Sequence, residues 1–303
     1  MSSISSAMRT HHGIGWRDYL ALCKLKVVAL IVFTAIVGML LASEMPLRFD
    51  LLIVASLGIG GVAAAGAALN HLIDRRIDAD MARTDDRPLP SGRIDPLRAL
   101  IFALALCAIS TLALYILVNP LTAILTFMSM VGYALIYSVF LKRATPQNIV
   151  IGGAAGAMPP VLGWVAISGS VEAHALLLFV IIFAWTPPHF WALAIHRHRE
   201  YAAVGIPMLP VTHGVDFTRL QVLLYTLILF AASLLPYATR MSGEIYLISA
   251  SILGMVFVGY ALALYRKRQA RGLPMQTFGY SIYYLFGIFA ALLIDRYVNM
   301  MIR

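Results

Sequence analysis

The chain has 303 residues, of which 61% are hydrophobic and 12% are charged, about half the charged fraction of a soluble domain. This composition excludes a water-soluble globular protein and favours a polytopic membrane protein. The net charge of +9 would suit a nucleic-acid-binding protein, but the basic residues flank long apolar segments, as they do in membrane proteins. We therefore expect no nucleic-acid partner.

Nine apolar segments are each near the roughly 20 residues that a helix needs to cross a bilayer. They predict an all-α fold with a single transmembrane domain over residues 1–303, which begins with a short cytoplasmic segment at 1–18. That segment has no apolar stretch long enough for a cleaved signal. The predicted spans are 20–43, 51–71, 97–118, 121–141, 148–168, 173–195, 219–238, 244–265 and 277–297.

Lysine and arginine are unequally distributed between the two sides of the predicted membrane. Nineteen of the 23 fall on the side that holds the N-terminus, and only Arg48, Arg240, Arg296 and Arg303 fall on the other. Because cytoplasmic loops carry the excess of basic residues, the N-terminus is predicted in the cytoplasm and the C-terminus in the periplasm. A bacterial inner membrane is the simplest location, with the lipid bilayer as surroundings.

Two long polar segments, 72–96 and 196–218, both lie on the predicted cytoplasmic side. Long loops are where binding groups tend to lie, so we expect the chemistry to face the cytoplasm. The spans carry almost no ionisable side chains apart from Lys24, His174 and His189. This argues against a channel or an ion-coupled transporter, because those proteins place charges near the membrane midplane.

A polar motif follows the second predicted span. Asn70, Asp74 and Asp78 recur every four residues, so they share one face, about 6 Å apart along the axis, if the helix continues. Such acceptors suit magnesium, which is usually held by one or two carboxylates and completed by substrate phosphates. Arg83 and Arg87 follow at the same interval and can clamp phosphate oxygens. The motif predicts a magnesium diphosphate site; the alternative is a solvated helix end whose charges pair locally.

This motif, together with residues 83–92 (RTDDRPLPSG), resembles that of the intramembrane prenyltransferases of the UbiA type. Residues 185–194 (WTPPHFWALA) and 205–211 (GIPMLPV) are similar to signatures of the branch of that family that uses haem as acceptor. The resemblance covers nearly the whole chain. It implies nine transmembrane helices around a central cavity that opens to the cytoplasmic side.

The resemblance also implies a reaction: a farnesyl group passes from farnesyl diphosphate to a vinyl group of haem b, with water addition, giving haem O and diphosphate. Mg2+ would be held by Asp74 and Asp78, with Asn70 as a neutral ligand or as a hydrogen-bond donor behind them. The cations expected on the remaining phosphate oxygens are Arg83, Arg87, Lys142 and Arg143.

The same resemblance implies where haem binds. His189 is expected to contact haem, either as an iron ligand or as a hydrogen-bond partner of the porphyrin. The alternative is a core histidine beside a kink or break at Pro187-Pro188. Trp185 and Trp191 would exclude water from the reactive cation. His196, at the membrane edge, is a candidate for the haem propionates, with a plain interface charge as the alternative.

Two departures from the family pattern affect the expected site. The family usually has Lys-Pro-Arg where this chain has Lys24-Leu25-Lys26, so a proline is lost but the charges remain. Before Tyr201 the family commonly has aspartate. Here Glu200 keeps a carboxylate on a longer arm, as a candidate further metal ligand.

Two other functions remain open from the sequence. An aromatic prenyltransferase of quinone synthesis shares the Asn/Asp motif but is not expected to show the haem-branch stretch at 185–194. A membrane haem-binding carrier is the second alternative, although paired histidines facing each other across spans are missing. A haem A synthase or an oxidase-assembly protein is a candidate partner.

Overall fold

The computed structural model describes residues 15–43, 47–81, 84–267 and 270–302. These residues form helices and no strand, as the composition predicts. In this part of the chain nine helical spans are long and apolar enough to cross a membrane: α2 (Leu25–Ala42), α3 (Phe49–Ala79), α4 (Pro96–Leu117), the span Pro120–Ala144, the span Asn148–Ser168, α9 (Ala173–His196), α12 (Val215–Ala238), α13 (Glu244–Arg266) and α14 (Leu273–Ile302). The span Pro120–Ala144 contains α5 (Pro120–Val131) and α6 (Lys142–Ala144), and the span Asn148–Ser168 contains α7 (Asn148–Ala157) and α8 (Pro159–Ser168). Three short helices lie outside the spans: α1 (Trp16–Leu22), α10 (His198–Ala203) and α11 (Leu209–Thr212).

Helix starts follow signals that the sequence carries. Asp95 precedes α4, and its side chain accepts hydrogen bonds from the backbone N–H groups of Leu97 and Arg98. Asn119 precedes α5 in the same way and accepts from the N–H of Thr122. Each cap is followed by proline at the first helical position, where a missing N–H costs nothing.

The structure corrects two of the predicted boundaries. Helix α3 runs on to Ala79, so residues 72–79 of the segment expected as a loop are helical. The reason is local, since no glycine or proline stands between Leu69 and Pro88 to stop the helix. The predicted span 20–43 is divided at Lys24, whose left-handed backbone (φ 48°, ψ 53°) ends α1 before α2 begins.

Close packing of α2 against α8 depends on two glycines. A Cβ atom on Gly38 would collide with the backbone of Pro160, and one on Gly163 would collide with the carbonyl of Ala35. Each helix therefore presents a glycine to the other's backbone, which is a common way for membrane helices to approach. This contact holds the first span against the middle of the bundle.

The proline pairs affect their helices differently. Helices α7 and α8 are separate and meet at Met158, directly before Pro159-Pro160. Helix α9 continues through Pro187-Pro188, so that pair does not end the helix. His189 therefore lies on an unbroken helix.

Large apolar side chains cover the outside of the bundle, among them Leu57, Ile101 and Phe140, each more than half exposed. The interior holds fully buried aromatic rings such as Tyr246 and Phe289. An apolar exterior of this kind is stable only in lipid, so the chain is a multi-pass membrane protein. The central cavity implied by the resemblance stays a prediction.

Candidate active site

The last three turns of α3 carry Asn70, Asp74 and Asp78. Because the helix is unbroken across them, the three side chains lie on one face, as their spacing predicts. All three are buried, with 3 to 5% of each residue exposed. The amide Nδ2 of Asn70 donates to Asp74 Oδ2 at 2.9 Å. Buried carboxylates are costly unless they are paired, so their partners define the site.

Both carboxylates are paired with cations from other parts of the chain. Lys142 lies in α6, and its Nζ is 2.7 Å from Asp74 Oδ2. Arg87 lies in the segment after α3, and its Nη1 is 2.7 Å from Asp78 Oδ2. Both cations are mostly buried, so water screens these ion pairs less than pairs at the surface.

Lys24 contributes a third cation. Its Nζ donates to the amide oxygen of Asn70 at 2.6 Å, from the junction between α1 and α2. Burial, and then the charge of Arg87, lower the pKa of Lys24 to about 8. Three cations face two carboxylates, so this cluster carries one excess positive charge and attracts an anion.

The side chain of Asn70 makes three hydrogen bonds to its neighbours. Its Nδ2 group donates to Asp74 and also to Ser138 Oγ at 2.9 Å, while its oxygen accepts from Lys24. These three bonds fix which end of the amide is which, because a lysine can only donate. Asn70 therefore holds Asp74 in place as well as being a candidate ligand.

Ser138 and Lys142 reach α3 from an irregular stretch of helix. Between α5 and α6, residues Gly132–Leu141 form a π-helix, in which the Ser138 hydroxyl donates to the carbonyl of Tyr133 five residues earlier. Such wide turns are rare and occur frequently at functional sites. Here the π-helix supplies the Ser138 hydroxyl, and Lys142, the first residue after it, supplies the ammonium group.

The buried face keeps one polar atom without a partner. Asp74 Oδ1 makes no hydrogen bond in the described part of the chain, although it is shielded from water. An unpaired carboxylate oxygen in such a place is unfavourable and suits a bound cation. No group of three histidine, cysteine or acidic residues in this part could enclose a metal ion. Two carboxylates with substrate phosphates are what magnesium commonly uses, so these residues fit it.

An ion pair joins the segment after α3 to α1. Arg93 Nε is 3.1 Å from Asp18 on α1, and its Nη1 is 3.0 Å from Asp86. The Thr84 hydroxyl donates to the backbone carbonyl of Asp78 at 2.8 Å. These contacts hold Arg87 against the motif. Asp86 thus pairs with Arg93.

A hollow of about 380 Å³ opens beside the site and is lined by Lys24, His71 and Arg87, among others. His71 follows Asn70 and is 3% exposed, yet both ring nitrogens lack a hydrogen-bond partner among the described residues. His71 is one residue past Asn70, so it lies on a different face of α3 from the three acceptors. The structure places it beside the two cations.

The remaining predicted site residues lie further out. Arg83 falls outside the described residues. Arg143 is exposed. Glu200 is also exposed and pairs with Arg197 at 3.4 Å. His196 is exposed at the end of α9. Their expected roles on phosphate, metal and haem stay predictions.

An aromatic cluster surrounds His189 on α9. The imidazole stacks on Trp185, one turn earlier, with 4.2 Å between ring centroids, and on Phe278 of α14 at 4.4 Å. The Trp185 Nε1 group donates to the backbone carbonyl of Ser281 at 2.7 Å. The structure therefore brings Trp185 and His189 together, as expected of residues four apart on a helix.

Trp191 belongs to a different cluster. It is 1% exposed and meets Tyr225 edge-on at 5.2 Å between centroids. Its neighbours include Ile195 on the same helix and the partly buried Ile77 of α3. Trp191 thus packs in a core that joins the end of α3 to the second cytoplasmic segment. It is separate from the rings around His189.

Sequence reasoning did not assign Lys24, Ser138 or Ser281 to the site. Lys24 carried a signal, since it is one of the few ionisable residues next to a span. The two serines carried none, because a π-helix and a contact between distant helices leave no local pattern. These three residues became visible only through the positions of their partners.

A model described as the UbiA prenyltransferase family matches residues 31–293 of this chain. A protoheme IX farnesyltransferase of Methylococcus capsulatus is 63% identical over 286 residues, which are 94% of this chain and 96% of that protein. Another, from Hahella chejuensis, is 56% identical over 284 residues, which are 94% of this chain and 95% of that protein.

Solved structures of similar shape are more distant in sequence. The structure of a digeranylgeranylglyceryl phosphate synthase has a TM-score of 0.77 and 20% identity, covering 92% of this chain and 97% of that one. A UbiA homologue from Archaeoglobus fulgidus, bound to DMAPP and Mg2+, has a TM-score of 0.61 and 16% identity, covering 91% and 99%. At these identities the likeness shows the fold.

Proposed function

The chain belongs to the UbiA prenyltransferase family, and we propose that it transfers the farnesyl group of farnesyl diphosphate to a vinyl group of haem b. Water adds in the same reaction, and the products are haem O and diphosphate. Two relatives more than half identical over nearly the full chain bear the name protoheme IX farnesyltransferase. The structural observation that carries the proposal is the buried acceptor face of α3, surrounded by three cations.

The first chemical task is to stabilise a leaving group with several negative charges. Magnesium held by Asp74 and Asp78, with Asn70 beside them, would neutralise part of that charge. The A. fulgidus homologue was solved with DMAPP and Mg2+, which supports metal use in this fold. Asp74 Oδ1, which has no hydrogen-bond partner among the described residues, would be the first ligand.

The chain's own cations supply the rest of the charge. Lys142 and Arg87 now pair with the two carboxylates, and Lys24 pairs with Asn70. With a metal held by those acceptors, the three cations would be available to the diphosphate oxygens, to which they would donate charge-assisted hydrogen bonds. Arg83 and Arg143 are proposed to add to this set.

The second task is to protect the allylic cation from water. The C–O bond breaks and its electron pair leaves with the diphosphate. The π electrons of the haem vinyl group then form the new bond to farnesyl C1. Water adds to the remaining cation and loses a proton. Apolar and aromatic walls keep water away until that last step. Trp185 is buried and suits this purpose, and its ring face tolerates a cation.

Haem is proposed to bind at His189 and Trp185. The imidazole lies 2.6 Å from Ser281 through Nδ1, which leaves Nε2 for a haem ligand or a porphyrin contact. His196 and Glu200, both exposed at the cytoplasmic end of α9, are proposed as outer contacts for haem propionates and for a second metal. Trp191 is proposed to act by packing.

We place the protein in a bacterial inner membrane with its N-terminus in the cytoplasm, because 19 of 23 basic residues flank that side of the spans. Haem O is a substrate for further haem modification. A haem A synthase or an oxidase-assembly protein is therefore the proposed partner downstream.

The test is product analysis with purified protein in lipid vesicles. Given farnesyl diphosphate, haem b and Mg2+, the protein is expected to form haem O, identified by mass. A chelator should stop the reaction, and added Mg2+ should restore it. Prenylation of a phenolic acid in place of haem would indicate a quinone-pathway enzyme. Haem binding with no product would indicate a carrier.

A further inference from the structure

Two short polar contacts meet at Ser281, a fully buried residue of α14. Its Oγ lies 2.6 Å from His189 Nδ1 and 2.6 Å from the backbone carbonyl of Phe278. The serine hydroxyl has one proton, and a carbonyl oxygen has none. If the proton pointed to His189, two oxygens would face each other at 2.6 Å with nothing between them.

Only one arrangement places a proton in both contacts. The Ser281 hydroxyl donates to the Phe278 carbonyl, and its lone pair accepts from Nδ1–H of His189. In a neutral imidazole a proton on Nδ1 leaves Nε2 with a free lone pair. Nε2 has no hydrogen-bond partner among the described residues.

Aromatic neighbours also hold the His189 ring in place. Trp185 and Phe278 both stack on the imidazole, and the Trp185 indole is itself fixed by its bond to the Ser281 carbonyl. One residue of α14 thus anchors two side chains of α9, through its hydroxyl and through its backbone. The stacked rings fix the direction of Nε2, and the contact with Ser281 fixes which ring nitrogen carries the proton.

We propose that Ser281 is a positioning residue, which fixes His189 as the Nδ1–H tautomer so that Nε2 ligates the iron of bound haem. Histidine ligands of metals almost always donate their other N–H to an acceptor, which sets the ring orientation and raises the basicity of the ligating nitrogen. Ser281 Oγ is that acceptor here. The inference rests on the proposed use of haem as substrate.

The tautomer can be read in the unmodified protein. In protein labelled with 15N-histidine, the nitrogen signals of His189 are assigned as those that are absent from the spectrum of the His189→Gln variant. Nitrogen NMR is expected to show Nδ1 protonated and Nε2 unprotonated before haem is added. A protonated Nε2 would overturn the proposal without any change at Ser281.

The role of the serine is tested by haem titration. Ser281→Ala removes the acceptor but keeps the backbone carbonyl that binds Trp185. We expect haem affinity, measured at the Soret band, to fall about 10- to 100-fold. The iron–histidine stretching band of the ferrous complex is expected to move to lower frequency, because the ligand becomes less basic. His189→Ala is expected to lack the band.

Ser233→Ala is the matched control. Ser233 is also fully buried, and its hydroxyl lies 2.6 Å from the Tyr284 hydroxyl, away from His189. It should keep both the affinity and the band. Unchanged binding and an unchanged band in Ser281→Ala, or a band retained in His189→Ala, would overturn the proposal. Absence of haem O from wild-type protein that shows the band would overturn the proposed function alone.

Discussion

The Asn70 face (Asn70, Asp74 and Asp78) and the His189 cluster (Trp185, His189, Phe278 and Ser281) are both buried and polar, yet they are held in different ways. Two ion pairs, from Arg87 and Lys142, and a hydrogen bond from the Lys24 ammonium group hold the Asn70 face. Neutral hydrogen bonds and stacked rings hold the His189 cluster.

This difference indicates how each region responds to a ligand. In the proposed function, a cation that pairs with a carboxylate exchanges that partner for a phosphate when a metal binds, so we expect the Asn70 face to rearrange. The contacts of the His189 cluster leave Nε2 without a hydrogen-bond partner among the described residues, so we expect the proposed haem contact to form without such an exchange. Substitutions in the two regions should therefore differ in size and in the step they affect.

The largest effect is expected at the carboxylate with the unpaired oxygen. Asp74→Asn keeps the side-chain shape but removes the charge that holds Lys142 and a metal. Loss of one such electrostatic group lowers turnover about 10²–10³-fold. The rate of haem O formation measures it. Asp80→Asn, an exposed carboxylate at the end of the same helix, should keep the wild-type rate, and an equal loss in both variants would contradict the assignment.

The next effect concerns Lys24. Lys24→Met removes a charge-assisted hydrogen bond worth about 1.5–3 kcal/mol, which corresponds to about 10- to 100-fold. We expect this loss in kcat/KM for farnesyl diphosphate, with haem affinity unchanged. The control is Lys26→Met, two residues away and exposed. A weaker haem affinity in Lys24→Met would show that the two regions are not separate.

Trp185 and Trp191 provide a comparison within one helix. Trp185→Phe loses the bond to the Ser281 carbonyl and loosens His189, so haem affinity should fall about tenfold, as for a lost hydrogen bond of about 1.4 kcal/mol. Trp191→Phe removes an N–H that has no partner in the described structure and should leave haem affinity unchanged. Soret titration measures both, and the reverse order would assign haem to the Trp191 cluster.

The smallest effect is expected at Ser138. Ser138→Ala removes one of the two acceptors of the Asn70 amide, a neutral hydrogen bond worth about 1 kcal/mol. Turnover at saturating haem should fall about fivefold. Ser129→Ala, which removes a hydroxyl from the same helical span, is the comparison. If both variants behaved alike, Ser138 would have no special part in orienting Asn70.

Much of the fold could be predicted because membrane helices are defined by length and hydropathy. The nine spans follow from these alone, and the spacing of Asn70, Asp74 and Asp78 correctly places them on one face. The boundaries near Lys24 and Ala79 could not be predicted. A backbone that turns left-handed at a lysine has no local sequence signal. The absence of glycine and proline after Leu69 lets α3 continue past the span but does not fix the residue at which it ends.

The partners of the site were less accessible to sequence reasoning. Lys142 was expected near phosphate from the family resemblance, and it lies on Asp74. Ser138 and Ser281 are joined to Asn70 and His189 by hydrogen bonds across 68 and 92 residues of chain. One sequence contains no periodicity that links residues so far apart, so only the packed bundle reveals them.

The π-helix at Gly132–Leu141 acts as a phase shift along one span. In an α-helix each residue advances the azimuth by about 100°, and the wider turns of this stretch advance it less. Residues after the π-helix therefore lie at other azimuths around the helix axis than a regular α-helix would give them. The outer half can follow the lipid while the inner half turns Ser138 and Lys142 towards Asn70 and Asp74. Removing a residue from this stretch would change the azimuth of every later residue by about 100° and rotate the ammonium group away from the carboxylate.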